Sequence, residues 1–179
     1  IGASRFPYLD LSLQQSSAPI IKRMRRWGNG DKFRARIHDI RARYPDAAIR
    51  SNFIVGYPGE TEADHDNLLA FMEAAQFDWV GLFSYSREES TYADTQDAHV
   101  DPSLIATRLA EASELQDAIT LTRRAAHIGT SIEVLVDEPG VGRSHREAPE
   151  IDGVVHIPET LPVGTLQAVT RQGERGAGW

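Results

Sequence analysis

The residues best placed to do chemistry fall in one run, Phe53-Ile54-Val55-Gly56-Tyr57-Pro58-Gly59-Glu60-Thr61. A β-rich segment stops at Gly56, and a tight turn follows on Gly56, Pro58 and Gly59. A helix then starts with Thr61 as N-cap and Asp64 as its partner in a capping box. Strand, glycine turn and helix N-terminus is the geometry in which backbone N–H groups face an anion or a nucleotide. Glycine suits it because a Cβ would block close approach or resist a positive φ. The same pattern also makes an ordinary βα connection, and no Lys-Ser/Thr of a phosphate loop follows. A second candidate is the basic run Lys22-Arg23-Met24-Arg25-Arg26. It either complements the dipole at a helix C-terminus or forms a patch for phosphate or an acidic group. His65, among Glu62, Asp64 and Asp66, has no second ligand at metal spacing and reads as a solvated surface histidine.

These residues need elements to hold them. Residues 8–13 alternate and predict a strand. Ser17 and Pro19 open a helix that carries Ile20, Ile21 and Met24 and ends before Gly28. Asp31 is expected to cap the next helix, in which Phe33, Ile37, Ile40 and Tyr44 recur on one face as a core stripe. Residues 47–55 form the strand entering the central turn. The helix after Thr61 buries Leu68, Leu69 and Met72. Residues 77–84 form a third strand and lead into a polar loop, residues 85–91. Asp101-Pro102 opens a long helix with Ile105, Leu109, Ala112, Leu115 and Ile119 inward. The order β-α-α-β-α-β-α predicts an α/β fold with a parallel sheet, and the C-terminal strand ends are where barrel-like folds carry their chemistry. A three-stranded parallel sheet has open edges, which predicts pairing with another chain. After Gly129 the texture changes to short strands at residues 131–138, 153–157 and 165–170, with a turn at residues 140–142, as in a small β module. The boundary is placed so that residues 1–129 form the α/β part and residues 130–179 the β module, whose glycine-rich end, residues 173–179, reads as a tail.

Composition narrows the function. The chain has 179 residues, a formal charge of −7 and no cysteine. The charge argues against a general nucleic-acid binder, and the missing thiols exclude disulfides, thiol catalysis and cysteine-ligated metal from this chain. No apolar run is long enough for a membrane helix, and the start lacks both Met and signal-peptide character. The expectation is a cytoplasmic chain that begins inside a longer protein. In the β module eight acids face four arginines, a surface suited to a basic partner protein rather than to RNA.

Four segments together resemble the radical-SAM methylthiotransferase family, in particular its branch acting on an aspartate of a small-subunit ribosomal protein. They are Tyr8-Leu9-Asp10-Leu11-Ser12-Leu13-Gln14-Gln15, the central run from Arg50 to Thr61, Phe83-Ser84-Tyr85-Ser86-Arg87-Glu88-Glu89-Ser90-Thr91, and the stretch from Arg143 to Gly153. The resemblance implies the later strands of a radical-SAM (β/α) barrel followed by a small all-β TRAM-like module, here incomplete. It implies S-adenosyl-L-methionine as cofactor, and two 4Fe–4S clusters whose ligands are not in this chain. It places Gln14, Ser16, Ile54, Val55, Gly56, Tyr85 and Ser86 at the cofactor, with Glu88 at the same mouth, and assigns no catalytic residue. The implied partner is a basic ribosomal protein, with RNA contact only indirect. This chain departs from the family in having Gln15 where His is usual and Ser90 where Gly is usual. Without cluster cysteines it is expected to be inactive alone. The rival readings are a tRNA methylthiotransferase, a non-catalytic ribosome-binding fragment, and an unrelated nucleotide-binding α/β domain.

Overall fold

The computed structural model describes residues 8–173. The readings made for residues 1–7 and for the tail beyond Gly173 lie outside the described residues. The chain divides into two compact units, one of residues 9–120 and one of residues 121–173 together with Tyr8.

The first unit follows the predicted order. Strand β1 (Tyr8–Gln14) leads to helices α1 (Ala18–Arg23) and α2 (Gly30–Arg43). Strand β2 (Ala48–Val55), helix α3 (Glu62–Ala75), strand β3 (Trp79–Ser84) and helix α4 (Pro102–Ala125) follow. The sheet order is β1-β2-β3, and β2 and β3 run parallel, from Arg50 opposite Trp79 to Val55 opposite Ser84. Leu9, Leu11 and Leu13 pack on the helix-covered core with Phe53 and Val55. Strand alternation therefore sends Asp10, Ser12, Gln14, Asn52 and Ile54 to the opposite face. Phe53 anchors the core, edge-on to Phe71 at 6.1 Å and to Phe77 at 5.7 Å between ring centroids.

Helix starts differ from expectation in two places. Asn29, not Asp31, caps α2, its side chain accepting from the Lys32 N–H. Asp31 lies inside the first turn, where its charge still suits the dipole. Ser17 occupies the N-cap of α1 without a side-chain capping bond. Its hydroxyl instead donates to Asp64 and so ties α1 to the start of α3. The Thr61–Asp64 capping box is present in full. The expected α2 stripe is buried at Ile37 and Ile40, but Tyr44, past the helix end, is exposed.

In the second unit, β4 (Ser131–Glu138), β5 (Val141–Arg143), β6 (Val155–His156) and β7 (Leu166–Thr170) form an antiparallel sheet in the order β6-β5-β4-β7. The predicted turn at residues 140–142 is shorter, because Val141 and Gly142 belong to β5. Gly142 can take no side chain, since a Cβ there would meet the Leu135 carbonyl at 2.5 Å. Val134 and Val136 are its buried centre. Arg143 clamps Asp137 with two bonds, at 2.6 and 2.7 Å.

Candidate functional site

The C-terminal ends of β1, β2 and β3 converge on a hollow of about 410 Å³. Ile54, Phe83, Tyr57 and Tyr85 give it apolar and aromatic walls, and Gln14, Ser84, Ser86, Glu88 and Thr91 give it a polar rim. A mostly apolar concavity with a few convergent polar groups is the usual form of a small-molecule site. Tyr57 and Tyr85 meet edge-to-face at 5.5 Å, and His99 lies 6.2 Å from Tyr85. The Tyr85 hydroxyl is buried and lacks a hydrogen-bond partner. Burial, and then the Asp94 charge, push its pKa up, so it stays a donor. Gln14 ends β1 at φ +69, a left-handed conformation that costs a non-glycine residue energy and recurs at functional sites. A wider depression beside it is lined by Arg87, Glu89, Ser90 and Asp94, but there Arg87 is already bound to Asp94.

The central turn is not an open anion cradle. The Gly56 N–H donates to Glu60 Oε2 at 3.0 Å, Gly59 N–H to the Ala98 carbonyl, Glu60 N–H to the Tyr57 carbonyl and Thr61 N–H to Asp64. What organises the turn is the buried Glu60 carboxylate. Its Oε1 accepts from Arg108 Nη1 at 3.0 Å and its Oε2 from Gln15 Nε2 at 3.2 Å. Arg108 also donates to Glu62 at 2.9 Å. Burial pushes the Glu60 pKa up, against the Gly56 N–H and Arg108, which pull it down. The Arg108 hydrogen bond holds that of Glu62 below its ordinary value. Gln15, the residue departing from the family's histidine, is fully buried. Its amide oxygen accepts the Ser16 N–H at 2.8 Å while its amide nitrogen serves Glu60. One side chain thus joins the exit of β1 to the turn after β2.

Of the residues predicted to contact a cofactor, Gln14, Ile54, Tyr85 and Ser86 share the hollow. The other three stand apart from its lining. Ser16 is buried, donating to Asn67 Oδ1 at 2.8 Å. Val55 belongs to the core. Gly56 lies against Ile105, which a Cβ would strike at 2.4 Å. Sequence reasoning overlooked Tyr57 and Phe83 as walls. The period of two along β3 could have found Phe83, since it faces the same way as Tyr85. It also misread His65, which is buried, its Nε2 2.9 Å from Glu111. The acidic sequence around His65 hid the fact that α4 covers that face of α3. In the basic run, Arg23 pairs with Asp97 at 2.8 Å, Arg25 stacks on Tyr92 at 3.4 Å and Arg26 donates to the Ser12 carbonyl at 2.9 Å.

A family model described as TRAM domain matches residues 128–171. Among curated relatives, the ribosomal protein uS12 methylthiotransferase RimO of Cutibacterium acnes is 42% identical over 160 residues, 88% of this chain and 33% of that protein. The protein of the same name from Nocardioides sp. is 41% identical over 180 residues, 96% of this chain and 38% of that protein. That from Hydrogenovibrio crunogenus is 46% identical over 157 residues, 86% and 35%. The chain spans about a third of the length of these curated relatives.

Proposed function

We infer that this chain, whose sequence belongs with the uS12 branch of the radical-SAM methylthiotransferases, is the part of such an enzyme that holds S-adenosyl-L-methionine and receives the substrate protein. The reaction is the addition of a methylthio group to the β-carbon of an aspartate in ribosomal protein uS12, in the cytoplasm. The observation that carries this reading is that four of the residues the family resemblance assigns to the cofactor line one hollow with Tyr57 and Phe83.

The residues present fit an adenosyl group. The aromatic walls suit the faces of a purine, and the Tyr85 hydroxyl, buried and unpartnered in the free chain, would bond a ligand once its ring turns toward the hollow. Ile54 and Phe83 would hold the base, and Gln14, Ser86 and Glu88 would orient the polar end and limit water. S-adenosyl-L-methionine supplies the radical and methyl chemistry when bound. The Glu60–Arg108–Gln15 cluster acts at a distance by fixing the two chain turns that carry Gln14 and Tyr57. The chain contains no cysteine, so it offers no thiolate to a 4Fe–4S cluster, and we expect no turnover from it alone. We assign residues 1–129 to the later strands of the radical-SAM barrel and residues 130–179 to the TRAM-like module. The acidic balance of that module supports a basic ribosomal protein as its partner. The names of the relatives favour the ribosomal-protein branch over a tRNA enzyme.

Equilibrium dialysis of the chain with S-adenosyl-L-methionine and, separately, ATP tests this, alongside capture of purified uS12. Preference for S-adenosyl-L-methionine with capture of uS12 supports the reading. Preference for ATP points to an unrelated nucleotide-binding domain. Capture of uS12 without any S-adenosyl-L-methionine binding supports a non-catalytic adaptor.

A further inference from the structure

Positive charge is concentrated in one segment. Nine of the nineteen lysines and arginines lie between Lys22 and Arg43, where Asp31 and Asp39 are the sole acids. The structure sorts these cations into two sets. Arg23, Arg25, Arg26 and Arg41 are engaged by Asp97, Tyr92, the Ser12 carbonyl and the α3 C-terminal carbonyls of Ala75 and Gln76. Arg34 pairs with Asp31 at 2.9 Å. Lys22, Lys32, Arg36 and Arg43 are exposed, and none of them makes an ion pair with another described residue. On α2, Lys32, Arg36 and Arg43 recur at helical spacing and form one stripe, roughly 16 Å long at 1.5 Å per residue. Asp39, three residues after Arg36 and four before Arg43, sits within the stripe and leaves it with a net charge of +2.

At the head of that stripe stands Trp27, 81% exposed, with the Lys32 ammonium 5.5 Å from its ring. The indole is not on a free loop. On one side, Arg26 is tied to the Ser12 carbonyl. On the other, Gly28 sits at φ +115 against the Phe33 ring, and Gly30 N–H donates to the Ser16 carbonyl at 2.9 Å. The fold thus holds a large aromatic ring in water beside a row of unpaired cations. A flat apolar ring next to phosphate-spaced charges is the combination that binds unpaired nucleotides, bases on the aromatic face and backbone on the cations. An acidic protein would be served by the cations but has no use for the exposed indole.

We propose that the start of α2, with Trp27 as stacking platform and Lys32, Arg36 and Arg43 as phosphate contacts, is a docking surface for single-stranded RNA. The chain-wide charge of −7 conceals it, because the acids are spread elsewhere.

The test is fluorescence anisotropy of a labelled 15-nucleotide single-stranded RNA titrated with the chain across a salt series. The variants are Trp27→Ala and Lys32→Glu/Arg36→Glu, each checked for an unchanged melting temperature, as expected for exposed positions. Stacking of one base corresponds to a loss of about 5- to 150-fold in affinity for Trp27→Ala. The double variant should also flatten the dependence of log K on log salt by about 1.4, two phosphates at ~0.7 each for single strands. Absence of RNA binding overturns the proposal. So does binding that Trp27→Ala leaves intact and polyglutamate displaces as readily as RNA, since the surface would then serve acidic protein.

Discussion

The Arg108 guanidinium meets the Glu60 carboxylate at 3.0 Å where the two side chains are 3% and 0% exposed. Each charge needs the other, because an unpaired ion in the interior costs far more than a lost surface contact. Arg108→Met should therefore cost about 3–5 kcal/mol by urea unfolding. The double variant Arg108→Met/Glu60→Gln should recover much of that. Equal losses in the single and double variants would mean that the pair is not coupled.

Gly56 and Gly129 share a φ of +82, but only Gly56 has a neighbour, Ile105, within reach of a Cβ. Gly129→Ala carries the left-handed strain alone, about 1–2 kcal/mol. Gly56→Ala should cost about 1–3 kcal/mol more from overpacking, and Ile105→Ala in the Gly56→Ala background should relieve part of that excess. Thermal melts of the variants separate the two contributions.

Ser90 stands at φ +65, where the family's usual glycine would be unstrained. Ser90→Gly should raise stability by up to about 1 kcal/mol, the strain relief being partly offset by the greater freedom of glycine in the unfolded chain. A lower melting temperature in this variant would show that the serine side chain stabilises the loop by more than its backbone costs.

Burial pushes the Asp64 pKa up, but bonds from Ser17 and Thr61 outweigh it and hold the carboxyl below its ordinary 3.8. A depressed carboxyl contributes stability above the unfolded value, and this is lost as pH falls through the folded value. Asp64→Ala should cost about 1 kcal/mol at pH 7, as removal of a helix cap does. The gap from wild type should narrow below a pH of about 3.8. A gap that stays constant from pH 7 to pH 3 would rule out this linkage.

If the hollow receives an adenosyl group and the Tyr85 ring turns to meet it, the hydroxyl, buried in the free chain, gains the hydrogen-bond partner it lacks. Tyr85→Phe should then leave the unliganded melt unchanged or slightly raised, and weaken S-adenosyl-L-methionine binding several-fold by dialysis, about 1 kcal/mol for one hydrogen bond. Unchanged affinity would remove Tyr85 from the contact set.

Much of the first unit could be read from local signals. The β-rich runs before Gly56 and Ser84, the apolar spacing of α3 and α4, and the Thr61–Asp64 capping box each depend on residues a few positions apart, so periodicity and capping chemistry found them. It was the resemblance to a known family, carried by four segments of the sequence, that brought Gln14, Ile54, Tyr85 and Ser86 forward as site candidates. What sequence could not supply were pairings across long separations. Glu60 meets Arg108 and Gln15, His65 meets Glu111, and Ser17 meets Asp64 only because folding stacks α4 and α1 against α3. A buried histidine or arginine reads like a solvated one until its neighbours are known, since local sequence records charge and period but not what covers a face. The same holds for Lys22 to Arg43. Sequence showed the excess of positive charge, but only tertiary structure decided which cations were consumed inside the fold and which were left beside Trp27, because ion pairing is a matter of distance in space.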